Sequence, residues 1–407
     1  MKTFDRQYEW KAVTLLSLGF GLVGLDRWII SPLLPAIIKD LNLNYQDAGD
    51  IFGVLGILWG IFAIATGKLS DKFGHRKILI PAIIFFSLLS GVSGMAGGLV
   101  SLILIRGLMG ATEGAFCPAS FAATAAAAKP ARRGLMQGIQ QSGFPLFGLA
   151  LGPIIATQLL RVVPSWRQVF WIVAIPGIIV GILLFFVLRE PGELNPENTE
   201  TNHSGAGSNW LQIFKTRNIV ICMMLLFCSM ACIFVLSGMV PLYLENYIHL
   251  NPQQMGFVMS AIGFGGFVGQ FALPGLSDIL GRKKVVIVSF VFAAIFVWIF
   301  SGITSNTTYL FISLFIVSLC CLGNIGLITG PIAAESAPIG LVASAIGLIV
   351  GAGEIFGGGV APFIGGYIAK NFGIQNVLYL ALFGVAAGAL ISFWLKETAP
   401  AIVEKNK

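Results

Sequence analysis

Five ionisable side chains lie inside long apolar stretches of this 407-residue sequence: Asp26, Arg27, Arg106, Glu113 and Glu354. An ionised side chain at the centre of a bilayer costs at least about 2.5–3.5 kcal/mol on insertion scales, so such residues are functional candidates. Arg106 and Glu113 are seven residues apart, which places them on one helix face about two turns from each other. An arginine inside the membrane can bind an anion. A carboxylate there can pair with a cation in one state and bind a proton in another.

A purely structural interpretation pairs Asp26 with Arg106 and Arg27 with Glu113, so that the four charges neutralise one another. Buried ion pairs are often no more stable than apolar replacements, which makes scaffolding alone a weak reason to carry four charges. Glu354 stands in a glycine-rich run, and glycines let helices approach closely. Two interpretations of Glu354 stay open, a second protonation site or a polar clasp.

The composition identifies the solvent of this chain. Only 11% of its residues are charged and 56% are hydrophobic, with a mean hydropathy of +0.88. A soluble domain carries about a quarter charged residues, so the surface must face lipid. The net charge of +7 is not gathered into a stripe that would bind nucleic acid, and the six cysteines lack metal-ligand spacing to histidine. We expect neither enzyme activity nor a metal, a cofactor or a nucleic-acid partner.

Twelve apolar segments reach the length of about 20 residues that a membrane-spanning helix needs. With the N-terminus in the cytoplasm, most lysines and arginines fall on that side, which predicts a multi-pass protein of the bacterial inner membrane with both termini cytoplasmic. The polar stretch 189–217 predicts a cytoplasmic linker between an N-terminal bundle at 1–188 and a C-terminal bundle at 218–407. The predicted helices cover residues 12–38, 51–66, 78–96, 99–127, 134–160, 168–188, 218–244, 253–273, 285–302, 308–332, 340–368 and 374–395.

A loop motif occurs twice, after the second and after the eighth predicted helix. Both copies contain Leu-Ser-Asp, a glycine three residues after the aspartate and then a basic run, and they stand 207 positions apart: Asp71, Gly74 and Arg76 in the first, Asp278, Gly281 and Arg282 in the second. This pair resembles the signature loop of the major facilitator superfamily, and the resemblance covers the whole chain. It implies an all-α membrane fold of twelve transmembrane helices in two pseudo-symmetric six-helix bundles. It also implies that Asp71, Arg76, Asp278 and Arg282 form a cytoplasmic latch that gates the rocking of the halves.

The residues of the first and fourth predicted helices narrow the resemblance. An Asp-Arg pair in the first helix, with Arg, Glu and Pro at this spacing in the fourth, is similar to the anion:cation symporter family and to spinster-like transporters. The symporter resemblance implies that Asp26 and Glu113 carry protons. Glu354 is a further candidate because of its place in an apolar run. The resemblance also implies that Arg27 holds the substrate carboxylate, with Arg106 in the binding region modulating the acids.

Two departures from that family bear on the substrate. Sugar-acid members have a tyrosine where this chain has Gly24, and a Ser-Gly-Gln triplet where this chain has Ser-Gly-Phe144. Compared with the sugar-acid members, this chain offers a substrate fewer hydroxyl partners and more aromatic surface. Both differences favour a carboxylate that is less hydroxylated or aromatic. Gln141 beside this triplet is the preferred substrate contact, and Asn324 is a second polar candidate. For each of them, a hydrogen bond to a neighbouring backbone group is the alternative role.

These observations predict a monomeric, proton-coupled symporter that moves a small organic anion by rocker-switch alternating access. The proton gradient drives it, and no other cofactor is expected. The alternative is antiport that exports a lipophilic drug or a lysolipid-like compound. It follows from the run Gly148-Leu-Ala-Leu-Gly152-Pro153, which is part of the drug:proton antiporter motif but lacks the terminal glycine pair.

Overall fold

The computed structural model describes residues 5–129, 133–189, 212–338, 342–399 and 402. The side chains of residues 67–73, 133–135, 212 and 342–344 lie outside this description. Within the described ranges every regular element is a helix, and twelve of them are long and apolar enough to span a membrane. The predicted fold class is therefore confirmed.

Most of the spanning helices begin before or end after the apolar segments predicted from the sequence, because polar residues continue these helices. The fourth matches its prediction, and the twelfth is shorter than predicted. A short helix, Gln212–Lys215, precedes the seventh of them. In chain order the spans are α1, Arg6–Trp28 and Ile30–Leu41; α2, Tyr45–Phe73; α3, His75–Ser93; α4, Leu99–Ala127; α5, Arg133–Gly143, Phe144–Leu151 and Gly152–Val162; α6, Trp166–Val187; α7, Arg217–Asn246; α8, Pro252–Leu280; α9, Arg282–Ser301; α10, Thr307–Leu327, Ile328–Ile332 and Ala333–Ser336; α11, Val342–Ala352, Gly353–Val360 and Ala361–Phe372; and α12, Val377–Ser392.

The helices alternate in direction and form two bundles, α1–α6 and α7–α12. We call the end that holds the start of α1 the terminal end and the opposite end the distal end. The predicted linker at 189–217 stays a prediction, since residues 190–211 lie outside the described ranges. Three of the described helices contain wide π-helical turns: Phe144–Leu151 in α5, Ile328–Ile332 in α10 and Gly353–Val360 in α11. Those of α5 and α11 stand at related places in the two bundles. Such turns are often found at functional sites.

The repeated loop motif has one backbone geometry in both bundles. Gly74, before α3, has φ 95° and ψ 145°, and Gly281, before α9, has φ 99° and ψ 144°. A positive φ of this size is accessible mainly to glycine because it has no Cβ. The motif glycines are thus required by the turn itself, and the sequence repeat reflects a structural repeat.

A second pair of similar contacts lies at the terminal end, one in each bundle. In the first bundle the Tyr8 hydroxyl accepts a hydrogen bond of 3.1 Å from the backbone N–H of Arg189, which follows α6. In the second bundle the Asn218 Oδ1 atom accepts one of 3.1 Å from the backbone N–H of Lys396, which follows α12. Each bundle therefore joins the start of its first helix to the chain that leaves its last helix.

Glycines bring the two bundles into direct contact along α2 and α11. A Cβ atom added at Gly49 would lie 2.5 Å from the carbonyl oxygen of Pro362, and one added at Gly56 would overlap the carbonyl group of Gly358. Close approach of this kind is how small residues allow helices to pack in membranes. The same holds for α5 and α8, where Gly263 lies against the backbone of Ala150.

Contacts between the bundles continue to the distal end. The Ser31 hydroxyl of α1 donates to the carbonyl oxygen of Ser237 in α7. The Asn246 side chain donates to the Tyr45 hydroxyl over 3.1 Å. Between α5 and α8 the approach is looser toward the terminal end, since a Cβ at Gly138 of α5 would come no closer than 3.7 Å to the ring of Phe271 in α8. The described structure is thus closed at its distal end.

The α2–α11 contact generates a stability prediction. Replacing Gly56 by Ala places a methyl group against the Gly358 carbonyl, and overpacking of this kind costs about 1–3 kcal/mol of unfolding free energy. Thermal unfolding of the purified protein in detergent measures the effect. The control is Gly347→Ala in α11, where a Cβ would meet nothing within 4 Å. Equal stability of the two variants would contradict the close contact.

Candidate functional site

The centre of the site is an ion pair that joins the two bundles. Arg27, near the end of the first segment of α1, places its Nη2 atom 2.9 Å from Oε2 of Glu354 and its Nη1 atom 3.4 Å from Oε1. Glu354 lies in the first turn of the π-helical segment of α11. Both side chains are buried, at 3% and 5% exposure. The bidentate geometry is the one in which a guanidinium binds a carboxylate most strongly.

Aromatic rings surround the Arg27 guanidinium. Its Cζ atom lies 4.7 Å from the ring centre of Phe234 in α7, 5.8 Å from that of Trp59 in α2 and 5.6 Å from that of the adjacent Trp28. These distances allow cation–π attraction, which strengthens where water is excluded. The indole N–H groups of Trp28 and Trp59 are buried, and neither has an acceptor among the described residues.

Arg106 holds the backbone of α1 rather than a carboxylate. Its Nη1 atom donates to the carbonyl oxygen of Asp26 over 3.1 Å, and its Nη2 atom donates to that of Arg27 over 2.5 Å. Both carbonyls lie just before α1 is interrupted at Ile29. The fully buried Arg106 therefore fixes the part of α1 that presents Asp26 and Arg27.

Asp26 and Glu113 lie beside this arrangement with spare acceptor capacity. Oδ1 of Asp26 accepts a hydrogen bond of 2.8 Å from the Ser90 hydroxyl, while its Oδ2 atom has no partner in the described part of the chain. Both carboxylate oxygens of Glu113 are buried without a hydrogen-bond partner there. A buried carboxylate without partners is costly when ionised, so this group is suited to holding a proton.

These contacts correct the pairing considered from the sequence. Asp26 does not pair with Arg106, nor Arg27 with Glu113; Arg27 pairs with Glu354, and Arg106 binds backbone carbonyls. The reason is that the glycine-rich π-helical segment of α11 packs closely against α2 and α7, which places Glu354 within reach of Arg27. Of the two interpretations of Glu354, the clasp describes its geometry, and its protonation stays a prediction.

The two polar candidates differ in position. Gln141 is half-buried in α5, just before its π-helical segment. Asn324 is fully buried, and its Oδ1 atom accepts a hydrogen bond of 2.7 Å from the Ser289 hydroxyl of α9. Asn324 thus joins two helices of the second bundle, and this contact gives no support to its predicted role in binding. The Nδ2 atom of Asn324 is buried and has no acceptor among the described residues, and a role of Asn324 in binding stays a prediction.

Asp278 and Arg282, the predicted latch residues of the second bundle, form an ion pair, and their gating role stays a prediction. Arg282 lies 2.5 Å from Asp278 and 2.9 Å from Glu335, which is in the last turn of α10. The Glu397 carboxylate, after α12, accepts hydrogen bonds from the backbone N–H groups of Arg282 over 2.8 Å and Lys283 over 3.2 Å. Glu335 and Glu397 were not predicted from the sequence. A signal for Glu397 exists, because Leu-basic-Glu recurs at 188–190 and 395–397, at the interval of the loop motif.

For the first-bundle copy of the latch, the structure describes the contacts of Arg76 but not the side chain of Asp71. Arg76 donates to the carbonyl oxygen of Phe185 at the end of α6, and its guanidinium lies 5.2 Å from the centre of that ring. The side chain of Asp71 lies outside the described residues. Its part in the latch therefore stays a prediction.

Phe234 and Trp59 were also missed by sequence reasoning. Phe234 stands 207 positions after Arg27, so the repeat that relates the two bundles maps the cation of α1 onto an aromatic residue of α7. Glu354 maps in the same way onto Phe147 of α5. Each charged residue of the ion pair thus has an aromatic counterpart in the other bundle. No comparable signal singles out Trp59.

Comparison with known proteins identifies the family. The family profile described as Major Facilitator Superfamily matches residues 16–348 and 222–407. The chain belongs to the major facilitator superfamily. The hexuronate transporter of Bacillus subtilis (strain 168) is 28% identical over 297 residues, covering 70% of each chain. The probable 4-methylmuconolactone transporter of Cupriavidus pinatubonensis is 26% identical over 366 residues, covering 88% of this chain and 84% of the relative.

A solved structure has the same fold. A bacterial homologue of the human lysosomal transporter Spinster, in an inward-facing and occupied conformation, aligns with a TM-score of 0.73 at 16% identity. The alignment covers 96% of this chain and 97% of that structure. The relatives are named as transporters, so this superfamily member is a multi-pass membrane transporter and not an enzyme, as predicted.

The ion pair generates a prediction for a double-mutant cycle. Arg27→Gln or Glu354→Gln alone leaves a buried charge without its partner, a loss that costs about 3–5 kcal/mol of unfolding free energy. The double variant removes both charges and is expected to unfold at a temperature close to that of the wild type. Unfolding of all four proteins in one detergent gives the coupling energy. Additive effects of the two single substitutions would contradict a stabilising pair.

Proposed function

We propose that this transporter is a proton-coupled symporter of a small organic anion and that Arg27 is its anion-binding residue. The observation that carries the proposal is the buried Arg27–Glu354 pair between the bundles. A guanidinium that binds one carboxylate in bidentate geometry can bind another of the same shape. Glu354 therefore occupies the position that the carboxylate of a substrate would take.

Exchange of the two carboxylates provides a way to couple anion and proton. When the substrate takes Arg27, Glu354 loses its cationic partner while it stays inside the protein. An uncompensated buried carboxylate costs several kcal/mol, and uptake of a proton removes that cost. Anion and proton would then bind together, and the coupling must be reciprocal between them.

Glu113 and Asp26 are the further proton-coupling residues of the proposal. The carboxylate of Glu113 has no hydrogen-bond partner among the described residues, and that of Asp26 is only half satisfied, by Ser90. Arg106 is committed to the backbone of α1 and can influence these acids through its charge alone. A proton on Glu113 would balance the negative charge that an anion brings to this region.

The distribution of basic residues between the two ends of the helices supports one orientation of the transporter in the membrane. Basic residues are concentrated at the terminal end, which the positive-inside rule assigns to the cytoplasm of a bacterial inner membrane. The contacts at the distal end would then close the transporter toward the outside. In this state the site would be accessible from the cytoplasm. Rocking of the bundles would break the distal contacts.

The names of the relatives agree with an anionic substrate. One is a hexuronate transporter and another a probable 4-methylmuconolactone transporter. Hexuronate carries a carboxylate, the group that Arg27 is suited to bind. These names support the class of substrate and leave its identity to experiment.

Export of a lipophilic compound by proton antiport is the second candidate. Its support is the segment Gly148–Pro153, where the backbone of Gly148 packs against Gly24 of α1 and Ala150 packs against Gly263 of α8. A helix that contacts both bundles in this way can transmit movement between them. In proteoliposomes, an inward proton gradient drives accumulation by a symporter and expulsion by an antiporter, so the direction of net flux separates the two.

Glu113→Gln tests the coupling. The substitution mimics a protonated acid, so substrate binding and exchange at equal pH on both sides should persist, while accumulation driven by a pH gradient should be lost. Paired measurements in proteoliposomes compare counterflow exchange with uptake under an imposed gradient. Thr112→Val, on the exposed part of α4, is the control. Accumulation by the Glu113→Gln variant at the wild-type level would assign the proton to Asp26 or Glu354 and remove Glu113 from the proposal.

A further inference from the structure

Three phenylalanine rings form a cluster on the terminal side of the charged residues. Phe20 of α1 lies 5.2 Å from Phe121 of α4 and 5.4 Å from Phe144 of α5, measured between ring centres. Phe20 precedes Arg27 by seven residues, which is about two turns and about 10.5 Å along the helix. Phe121 lies about two turns beyond Glu113 in the same direction. We call these three rings the phenylalanine cluster.

The cluster and the ion pair differ in exposure. Phe121 and Phe144 are half-buried and Phe20 is 8% exposed, whereas Arg27 and Glu354 are buried deeper in the bundle interface. The distal end is closed by the contacts of α1 with α7 and of α2 with α11. A ligand that reaches Arg27 from the terminal end would therefore pass the phenylalanine cluster and lie against it.

The polar end of such a ligand meets more than one donor. Arg27 provides the guanidinium, and the ring of Trp59 lies 5.8 Å from it with a buried indole N–H that has no acceptor among the described residues. A buried donor without a partner is costly, and a ligand oxygen would satisfy it. The surroundings thus combine a charged, hydrogen-bonding end with an apolar, aromatic end.

We infer that the substrate is an arylalkanoic acid, with a single carboxylate on Arg27 and an aromatic ring among Phe20, Phe121 and Phe144. This inference rests on the proposed function, in which Arg27 binds the anion. Aromatic rings pack favourably in offset or edge-to-face contact with one another. A polyhydroxylated acid would instead lose its hydrogen bonds to water against these rings without replacement.

The separation between the two ends sets an expectation for ligand length. The ring of benzoate is bonded directly to its carboxyl carbon, so it cannot reach the cluster while the carboxylate stays on Arg27. A spacer of several methylene groups extends the molecule along the two turns that separate Arg27 from Phe20. Calorimetric titration of the purified wild-type protein with glucuronate, benzoate, 3-phenylpropionate and 5-phenylvalerate measures this dependence.

We expect the longer arylalkanoates to bind at least tenfold more tightly than benzoate or glucuronate. Phe144→Gln should weaken the binding of 5-phenylvalerate by at least tenfold and leave that of glucuronate unchanged or stronger. Phe144→Leu and Phe121→Leu keep apolar volume and should weaken it three- to tenfold, which provides a test if the glutamine variant does not fold. Phe186→Leu is the control, because this phenylalanine is 76% exposed on α6.

The outcomes separate this inference from the proposed function. Equal affinities for 5-phenylvalerate in the wild type and in the folded Phe121 and Phe144 variants overturn the inference. A second outcome is that glucuronate binds most tightly, that Arg27→Ala abolishes this binding and that Arg27→Lys retains part of it. This outcome supports Arg27 as the anion-binding residue and contradicts the aromatic subsite. Wild-type affinity of Arg27→Ala for the carboxylates overturns both, and a wild type that binds none of the four overturns the inference.

Discussion

The ion pair between Arg27 and Glu354 is the interaction on which the arrangement of this transporter depends. Two charges removed from water in the interior are tolerated only when geometry and hydrogen bonding compensate for lost hydration. Here the compensation comes from bidentate contact, from three surrounding aromatic rings and from Arg106, which fixes the backbone of α1. Because its partners belong to different bundles, the pair also ties local chemistry to the relative position of the halves.

The contacts around the pair explain why it can form at all. Glycines along α2 and α11 bring the bundles close enough for a side chain of α11 to reach α1. The same interface must separate when a transporter of this superfamily changes the side of the membrane from which its binding site is accessible. A carboxylate of the protein that can be replaced by the carboxylate of a substrate would make that separation depend on what is bound. Binding and movement would then be linked through one guanidinium.

Much of the fold could be predicted from the sequence, because lipid imposes strong constraints on it. Twelve apolar segments predict twelve helices, and two copies of a loop motif predict two bundles; the positive φ angles of Gly74 and Gly281 give the second prediction a structural cause. The five intramembrane charges were found for the same reason, since each of them is conspicuous in an apolar run.

The pairing of those charges could not be predicted. Which face of α11 carries Glu354 toward α1 depends on helix crossing and on a π-helical turn, whose extra residue per turn shifts the helix face relative to an α-helix. The contact of Asn324 with Ser289 could not be predicted either, because the two residues lie on different helices. Trp59 carries no charge and no repeat relation, so nothing distinguishes it from the many aromatic residues that face lipid until its position beside Arg27 is known. Phe234 has only its repeat relation to Arg27 as a signal.

Competition between Glu354 and the substrate for Arg27 is tested most directly by anion affinity in the Glu354→Gln variant. A competitor that occupies the site lowers the apparent affinity in proportion to its occupancy. The measurement is the dissociation constant of the carboxylate that the wild type binds most tightly, determined by calorimetry for both proteins in the same detergent. We expect tighter binding by Glu354→Gln, by about tenfold or more if the pair is occupied most of the time. Equal or weaker binding by the folded variant would contradict this competition for Arg27.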